Sequence, residues 1–418
     1  MRTSPLVYLT AGFLVWLLLS TCGDSSSAAQ QDTTSTITVR NPASTARTDE
    51  LIVIPRADLP AVADGQIVIL RTPDGTIPPQ QTDDLDGDGE WDEIAVLADL
   101  EAGASLSLAV TTGQPADLPQ FPRRASFRMS LLDGEEYKNV KTHTRPAGHK
   151  AHDPLYHVEG ASWENDRIGF RNYFDERNGK DIFGKRVPGM VLDTVSLGSN
   201  YHELGDWGMD ILKVGNSLGA GALAVKVDDR LYRLGPTTTA SYREVANGPI
   251  RAIGEFTYTG WAVAGHDLTL TERITMTPGN NYYKSEVTVS GYPSEITLVT
   301  GIVNMQSKEM IYDFPEGAYT AFATWDRQSY IEDGLGMAII LRADALAANR
   351  ATPDEGEGII QTYYGEIPLS PGEMATYYFV AGWETADPAF GSREGFLALV
   401  NGYLSGLSQP ITVSQKTK

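Results

Sequence analysis

The chain has a single cysteine, Cys22, among 418 residues, so no disulfide within the chain can brace the fold. Positive charge is scarce: 33 Lys and Arg stand against 54 Asp and Glu, for a net charge of −21. Phosphate recognition needs clustered cations, so nucleic acid is excluded as a partner, and any anionic ligand must be held by a few well-placed ones. Past residue 19 no apolar run approaches the roughly 20 residues that a membrane helix needs. Histidine is also rare, with six in the chain, yet His143, His149, His152, His157 and His202 fall close together and only His266 lies apart. Histidine is the side chain whose ordinary pKa lies nearest neutrality, so this clustering points to acid–base chemistry.

The one long apolar run is at the start. Arg2 precedes Leu6 to Leu19, the pattern of a secretory signal over residues 1–21. It ends in Leu19-Ser20-Thr21-Cys22, which resembles a bacterial lipobox, and the small polar residues 22–36 read as a flexible tether. The expectation is a lipoprotein held to the outer membrane, cell surface or periplasmic face through lipid on Cys22. The alternative is a plain secretory signal with an incidental cysteine.

Beyond the tether the pattern is strand after strand. Ile37-Thr38-Val39, Leu51 to Ile54, Ile67 to Leu70 and Ser105 to Val110 are short β-branched or alternating runs between Pro, Asp and Gly turns. They predict a small immunoglobulin-like β-sandwich over residues 37–113. A proline-bearing linker, 114–124, follows. Residues 125–415 form a second block of alternating segments: Leu268, Leu270, Ile274 and Met276 share one strand face, Val287 and Val289 another, Tyr377, Phe379 and Ala381 a third. Only one helix is indicated, capped by Ser392 with Phe396, Leu399, Val400 and Tyr403 at helical spacing. The fold class is all-β, with a large antiparallel double-sheet domain and few helices.

Several motifs carry chemistry. Asp84, Asp86, Asp88, Glu90 and Asp92, with Gly89 between, have the spacing of a loop for a hard cation such as Ca²⁺; a solvated acidic hairpin has the same composition. In the strand from Arg167 to Phe174, alternation sets Ile168, Phe170 and Phe174 on one face and Arg167, Arg171 and Tyr173 on the other. Two guanidinium forks and a phenol on one face suit the floor of a groove for an acidic sugar; pairing with nearby carboxylates is the bland alternative. Tyr201-His202-Glu203 precedes Asp206 and Asp210, either of which could orient the imidazole. Trp163, Trp207 and Trp261 offer flat faces for a pyranose ring or simply core packing. Gly215-Asn216-Ser217-Leu218-Gly219 has the letters of a nucleophile elbow but lacks the strand–turn–helix context that chemistry requires. His149, His152 and His157 match no specific zinc spacing.

At Trp163-Glu164-Asn165-Asp166, at Asp181 to Arg186, at Tyr201-His202-Glu203, along Asp210 to Gly221 and at Gly248-Pro249-Ile250-Arg251, the sequence resembles the bacterial family called domain of unknown function 4861. The double-sheet block likewise resembles the galactose-mutarotase-like architecture. The family pattern marks Trp163, Glu164, Asn165, Asp166, Arg171, Tyr173, Asp181, Lys185, Arg186, Tyr201, His202, Gly208, Asp210, Lys213, Gly215, Ser217 and Arg251. Relatives carry GEG where this chain has Asp206-Trp207-Gly208. The resemblance implies secreted or lipid-anchored proteins of polysaccharide utilisation, and dehydration of uronate-bearing oligosaccharides.

These readings converge on β-elimination from an acidic oligosaccharide by a dehydratase or lyase. His202, Tyr201, Arg171, Tyr173, Lys213 and Asp210 are the catalytic candidates; Trp163, Glu164, Asn165, Arg167, Trp207 and Arg251 are the substrate-binding ones. Arg171, with Arg167 or Lys213, would neutralise the carboxylate, His202 abstract a proton, and Tyr201 or Tyr173 donate one. A non-catalytic glycan-binding lipoprotein, or glycoside hydrolysis by a pair such as Glu164 and Asp210, remains open at this stage.

Overall fold

A computed structural model describes residues 35–197, 200–315 and 317–416. The signal segment, Cys22 and nearly all of the tether lie outside the described residues. Strands dominate, and the one α-helix among the described residues is Arg393–Ser408. It begins where Ser392 accepts a hydrogen bond from the amide of Gly395, and it buries Phe396, Val400 and Leu404. Side chains of this size stabilise by about 1.5–3 kcal/mol each when fully buried. Those three residues cover Ala321, Ala338 and Ile340 on one end of the largest sheet.

That sheet has eight antiparallel strands, running from Tyr319–Asp326 at one edge through Met374–Trp383, Tyr282–Ser290 and His266–Met276 to Thr142–Thr144 at the other. Its inner face presents Leu268, Leu270, Ile274, Met276, Val287, Val289, Tyr377, Phe379 and Ala381, the residues that alternation assigns to one side. They share a core with Phe127, Trp163, Phe170 and Ile182 of a six-stranded sheet and with Leu223, Val225, Leu298 and Ile302 of a five-stranded one. The fold is therefore all-β and built of stacked antiparallel sheets.

The small sandwich packs a four-stranded sheet on a three-stranded one around Ile37, Val39, Ile52, Ile54, Val68, Leu70, Ile94 and Val96. Here the structure moves a boundary. Thr412–Lys416, expected as the end of the large block, pairs with Thr36–Arg40 in the small one. The chain thus finishes beside its own first described strand, a pairing between remote segments that no local pattern encodes.

Arg251, expected at a substrate groove, joins the two blocks instead. Its guanidinium pairs with Asp83 and with Glu93, 2.6 Å away, while Gln81 accepts from the amides of Ile250 and Arg251 at 3.0 Å. Gly248 is needed at this junction because a Cβ there would stand 2.2 Å from the Gln81 side chain. The Gly-Pro-Ile-Arg motif is thus an interblock clasp.

Candidate functional site

Strand Ile168–Tyr173 pairs with Lys180–Lys185, placing Arg171 opposite Asp181, and Lys180–Lys185 pairs with Gly208–Asp210, placing Phe183 opposite Asp210. Ile168, Phe170 and Phe174 point into the core, so Arg171 and Tyr173 face the opposite side with both aspartates. Gly208 makes the third strand's approach possible: its φ is +132°, and a Cβ would stand 1.8 Å from the Gly184 carbonyl oxygen.

Arg171 is only 1% exposed. Its Nη2 donates to Asp181 and Asp210, each at 2.7 Å, and to the Tyr173 hydroxyl at 2.9 Å, while Tyr173 donates to Asp181 at 2.5 Å. Its Nη1 donates to the Tyr201 hydroxyl at 3.4 Å. One guanidinium thus serves two buried carboxylates. Burial opposes its charge, but Asp210 and Asp181 outweigh that and hold Arg171 protonated. The surplus negative charge falls on Asp210, whose carboxyl is pushed well above the ordinary range by burial first and by Asp181 second, against the pull of Arg171. Burial also raises the Tyr173 hydroxyl, so Tyr173 stays a donor and cannot serve as a base.

His202 sits at the outer edge of this unit. Its side chain is 42% exposed and its Nδ1 lies 3.5 Å from Asp210 Oδ2. The ring lies 4.4 Å from that of Tyr201 and stacks on Tyr330 at 5.7 Å. Burial first, and the Arg171 guanidinium next, lower the pKa of His202, so the imidazole is neutral near pH 7. Lys213 reaches the same Tyr330 ring, 5.1 Å from its centroid, and has no carboxylate within 4.0 Å among the described residues. The arrangement therefore offers a neutral base, a buried carboxyl of raised pKa beneath it, a phenol and an unneutralised ammonium.

Several expectations are corrected. Arg171 offers no free fork, because its donors are taken by Asp181, Asp210, Tyr173 and Tyr201, so it cannot be the clamp for a substrate carboxylate. Arg167 is exposed in the turn before the strand, where Asn165 accepts from the amides of Arg167 and Ile168. Asn165 also donates to the carbonyls of Thr277 and Asn280, which makes it a turn brace. Glu164 is closed in by Lys185 at 2.6 Å and by the amides of Val191 and Leu192. Trp163 is fully buried and stacks on Phe127. Trp207 is half-buried against Phe183, and Trp261 is buried with its indole nitrogen on the Arg233 carbonyl. The WEND segment is thus structural, and hydrolysis by Glu164 with Asp210 lacks a shared open space between them.

His202 and Lys213 are exposed and Tyr201 half-buried. Cavities of about 460 and 590 Å³ lie elsewhere, where the small sandwich meets the large sheet and the helix. Other histidines are spent separately, His157 on the Val195 carbonyl, His143 on Tyr156 and His152 on Glu159. Ser217 is buried with its hydroxyl on the Val214 carbonyl and is no nucleophile. In the acidic loop, Asp84, Asp86 and Asp88 bring ligand atoms within 4.8 Å of one another. Glu90 turns to Arg56 and Asp92 to the Leu85 amide, so neither joins them.

Two members of the site carry no mark in the residue pattern alone. Asp181 was signalled only by the family pattern, although the hairpin register that sets it against Arg171 is a local feature. Tyr330 arrives from a distant loop, anchored by its amide on the Ile211 carbonyl, and has no sequence signal.

Fold and site together define an all-β protein with a buried carboxylate–guanidinium unit beneath an exposed histidine. The chain belongs to the family described as Domain of unknown function (DUF4861), whose model matches residues 39–413. It is similar to Uncharacterized protein P7 of Formosa agariphila, 26% identical over 207 residues, or 45% of this chain and 50% of that protein. The chain thus spans about half the length of the curated relative it matches. An alpha-mannosidase from Enterococcus faecalis superposes with a TM-score of 0.47 at 10% identity, over 92% of this chain and 46% of that one. An aldose 1-epimerase candidate from Klebsiella pneumoniae superposes at 0.29 and 11%, over 59% and 84%. Likenesses this distant carry no argument about activity.

Removing the shared cation should unfold the site. Arg171→Ala leaves two buried acids without their shared cation and is expected to cost about 3–5 kcal/mol in chemical denaturation. Lys213→Ala, on the surface, should leave stability unchanged. Equal effects of the two would contradict the assignment.

Proposed function

We propose that the chain is a carbon–oxygen lyase that performs β-elimination on uronate-bearing oligosaccharides, with His202 as the base. The observation that carries this reading is the exposed imidazole of His202, its pKa lowered, set 3.5 Å from the Asp210 carboxyl and beside the Tyr201 phenol. In this reading Lys213 neutralises the sugar carboxylate, which acidifies the C5 hydrogen. His202 accepts that proton and the C5–H electron pair becomes the C4–C5 double bond. The C4–O bond breaks, and the leaving oxygen takes its proton from Tyr201. Tyr201 suits the role of donor because its oxygen already accepts from Arg171, leaving its own proton to point elsewhere. Arg171 and Asp181 act behind it, by fixing Asp210 and Tyr201.

The test is incubation with uronate oligosaccharides, following the ultraviolet absorbance of the unsaturated product and its mass. His202→Ala should lower the rate by about 10²–10⁴-fold. Binding that survives in this variant while even the wild type forms no product would instead identify a glycan-binding protein.

The pH profile gives an independent check. The base is lost when His202 protonates, and its pKa lies below the ordinary 6.5. The acid limb of kcat/KM should therefore have its midpoint below 6.5. A midpoint above that value contradicts the assignment.

The same reading includes a structural calcium ion at Asp84, Asp86 and Asp88, and a membrane anchor at Cys22. Added calcium should raise the melting temperature, and an unchanged one removes the ion. Cys22→Ala should release the protein from the membrane fraction, and continued attachment removes the anchor.

A further inference from the structure

Beside Tyr173 lies a pocket of about 330 Å³ that the reaction above does not use, lined among others by Arg177, Gly179, Gly215, Asn216 and Arg233. Its two arginines differ in kind. Arg177 is neutralised, with Asp175 at 2.5 Å and Glu159 at 2.7 Å. Arg233 has no carboxylate within 4.0 Å among the described residues. Backbone carbonyls hold it instead: Nη2 donates to Asn216 at 2.6 Å and Ser217 at 3.0 Å, and Nη1 to Arg177 at 3.4 Å.

A guanidinium fixed by carbonyls is oriented without being neutralised. Half-buried, it has also lost part of its hydration, and this burial pushes its pKa down to about 10. It nonetheless remains charged at neutral pH. A fixed, partly dehydrated cation at the wall of a small pocket is poised for an anion: both Nη2 hydrogens are spent on carbonyls, which leaves Nε and the second Nη1 hydrogen as charged donors.

The position relates the pocket to the site. Tyr173 lines the pocket with its side chain and bonds Asp181 and Arg171 through its hydroxyl. The segment from Asp210 to Asn216 links the two places, with Lys213 two residues before Gly215.

We infer that this pocket is a subsite for the carboxylate of an acidic sugar unit, with the Arg233 guanidinium as its clamp. Naming the anion as that of a sugar rests on the function proposed above; the anion site itself rests on the pocket and its uncompensated arginine.

The experiment is calorimetric titration of the full chain with D-glucuronate, with D-glucose as the neutral control. Arg233→Gln should weaken glucuronate binding about tenfold or more. Glu176, exposed at the pocket's rim, repels an anion, so Glu176→Gln should tighten binding by about two- to threefold. This second variant keeps the test decisive if Arg233→Gln fails to fold. Glucuronate affinity within twofold of wild type in the folded variants, or glucose binding as well as glucuronate, overturns the inference. His202→Ala separates the two readings, since it should slow elimination by about 10²–10⁴-fold and leave glucuronate binding intact. Product formed at unchanged KM by Arg233→Gln sinks the subsite alone, whereas Arg233-dependent binding in a protein that forms no product sinks the lyase alone.

Discussion

One guanidinium shared by two buried carboxylates governs the electrostatics of the candidate site. Arg171 cannot neutralise both Asp181 and Asp210, and the sheet that encloses them admits almost no water. In so dry a place an unpaired carboxylate is costly, and burial with Asp181 raises the pKa of Asp210 well above the ordinary range. Partial burial of its own ring, and then the same cation, lower the pKa of His202 above it. The shifts of Asp210 and His202 thus both reflect one electrostatic arrangement, fixed by the register of three short strands.

Buried ion pairs recur through the fold. Lys180 meets Glu272 at 2.8 Å inside the core, Lys185 meets Glu164, and Arg251 fastens the small sandwich to the large domain. Such pairs add little net stability, since desolvation offsets attraction. They penalise every arrangement that leaves one partner alone. In a stack of sheets whose apolar faces resemble one another, that penalty selects the register in which Arg171 meets Asp181 and Asp210.

This recurrence also explains what the sequence made legible. The two-residue period of Leu268, Leu270, Ile274 and Met276 reports a half-buried strand directly, and the Ser392 cap with Phe396 and Val400 reports the helix. Charged residues carry no such mark. Glu164, Lys185 and Arg251 look like solvent-facing or ligand-binding groups until their partners, remote in sequence, are known. Arg167 and Arg171 are indistinguishable by alternation, yet one ends in a turn and the other beneath the site. Of the expected site, the Tyr201-His202 pair, Arg171, Tyr173 and Asp210 do meet, because a local hairpin and one added strand bring them together. Tyr330 and the return of Thr412–Lys416 depend on long-range pairing alone.

The proposed electrostatics of the site thus turn on the titration of one side chain, Asp210. Carbon-13 NMR of labelled aspartates, with Asp210→Asn to assign the signal, measures it directly. The Asp210 carboxyl should remain protonated at pH values where ordinary aspartates, with pKa near about 3.9, are fully ionised. An Asp210 signal that titrates with the other carboxylates would contradict the imbalance on which the proposed chemistry rests.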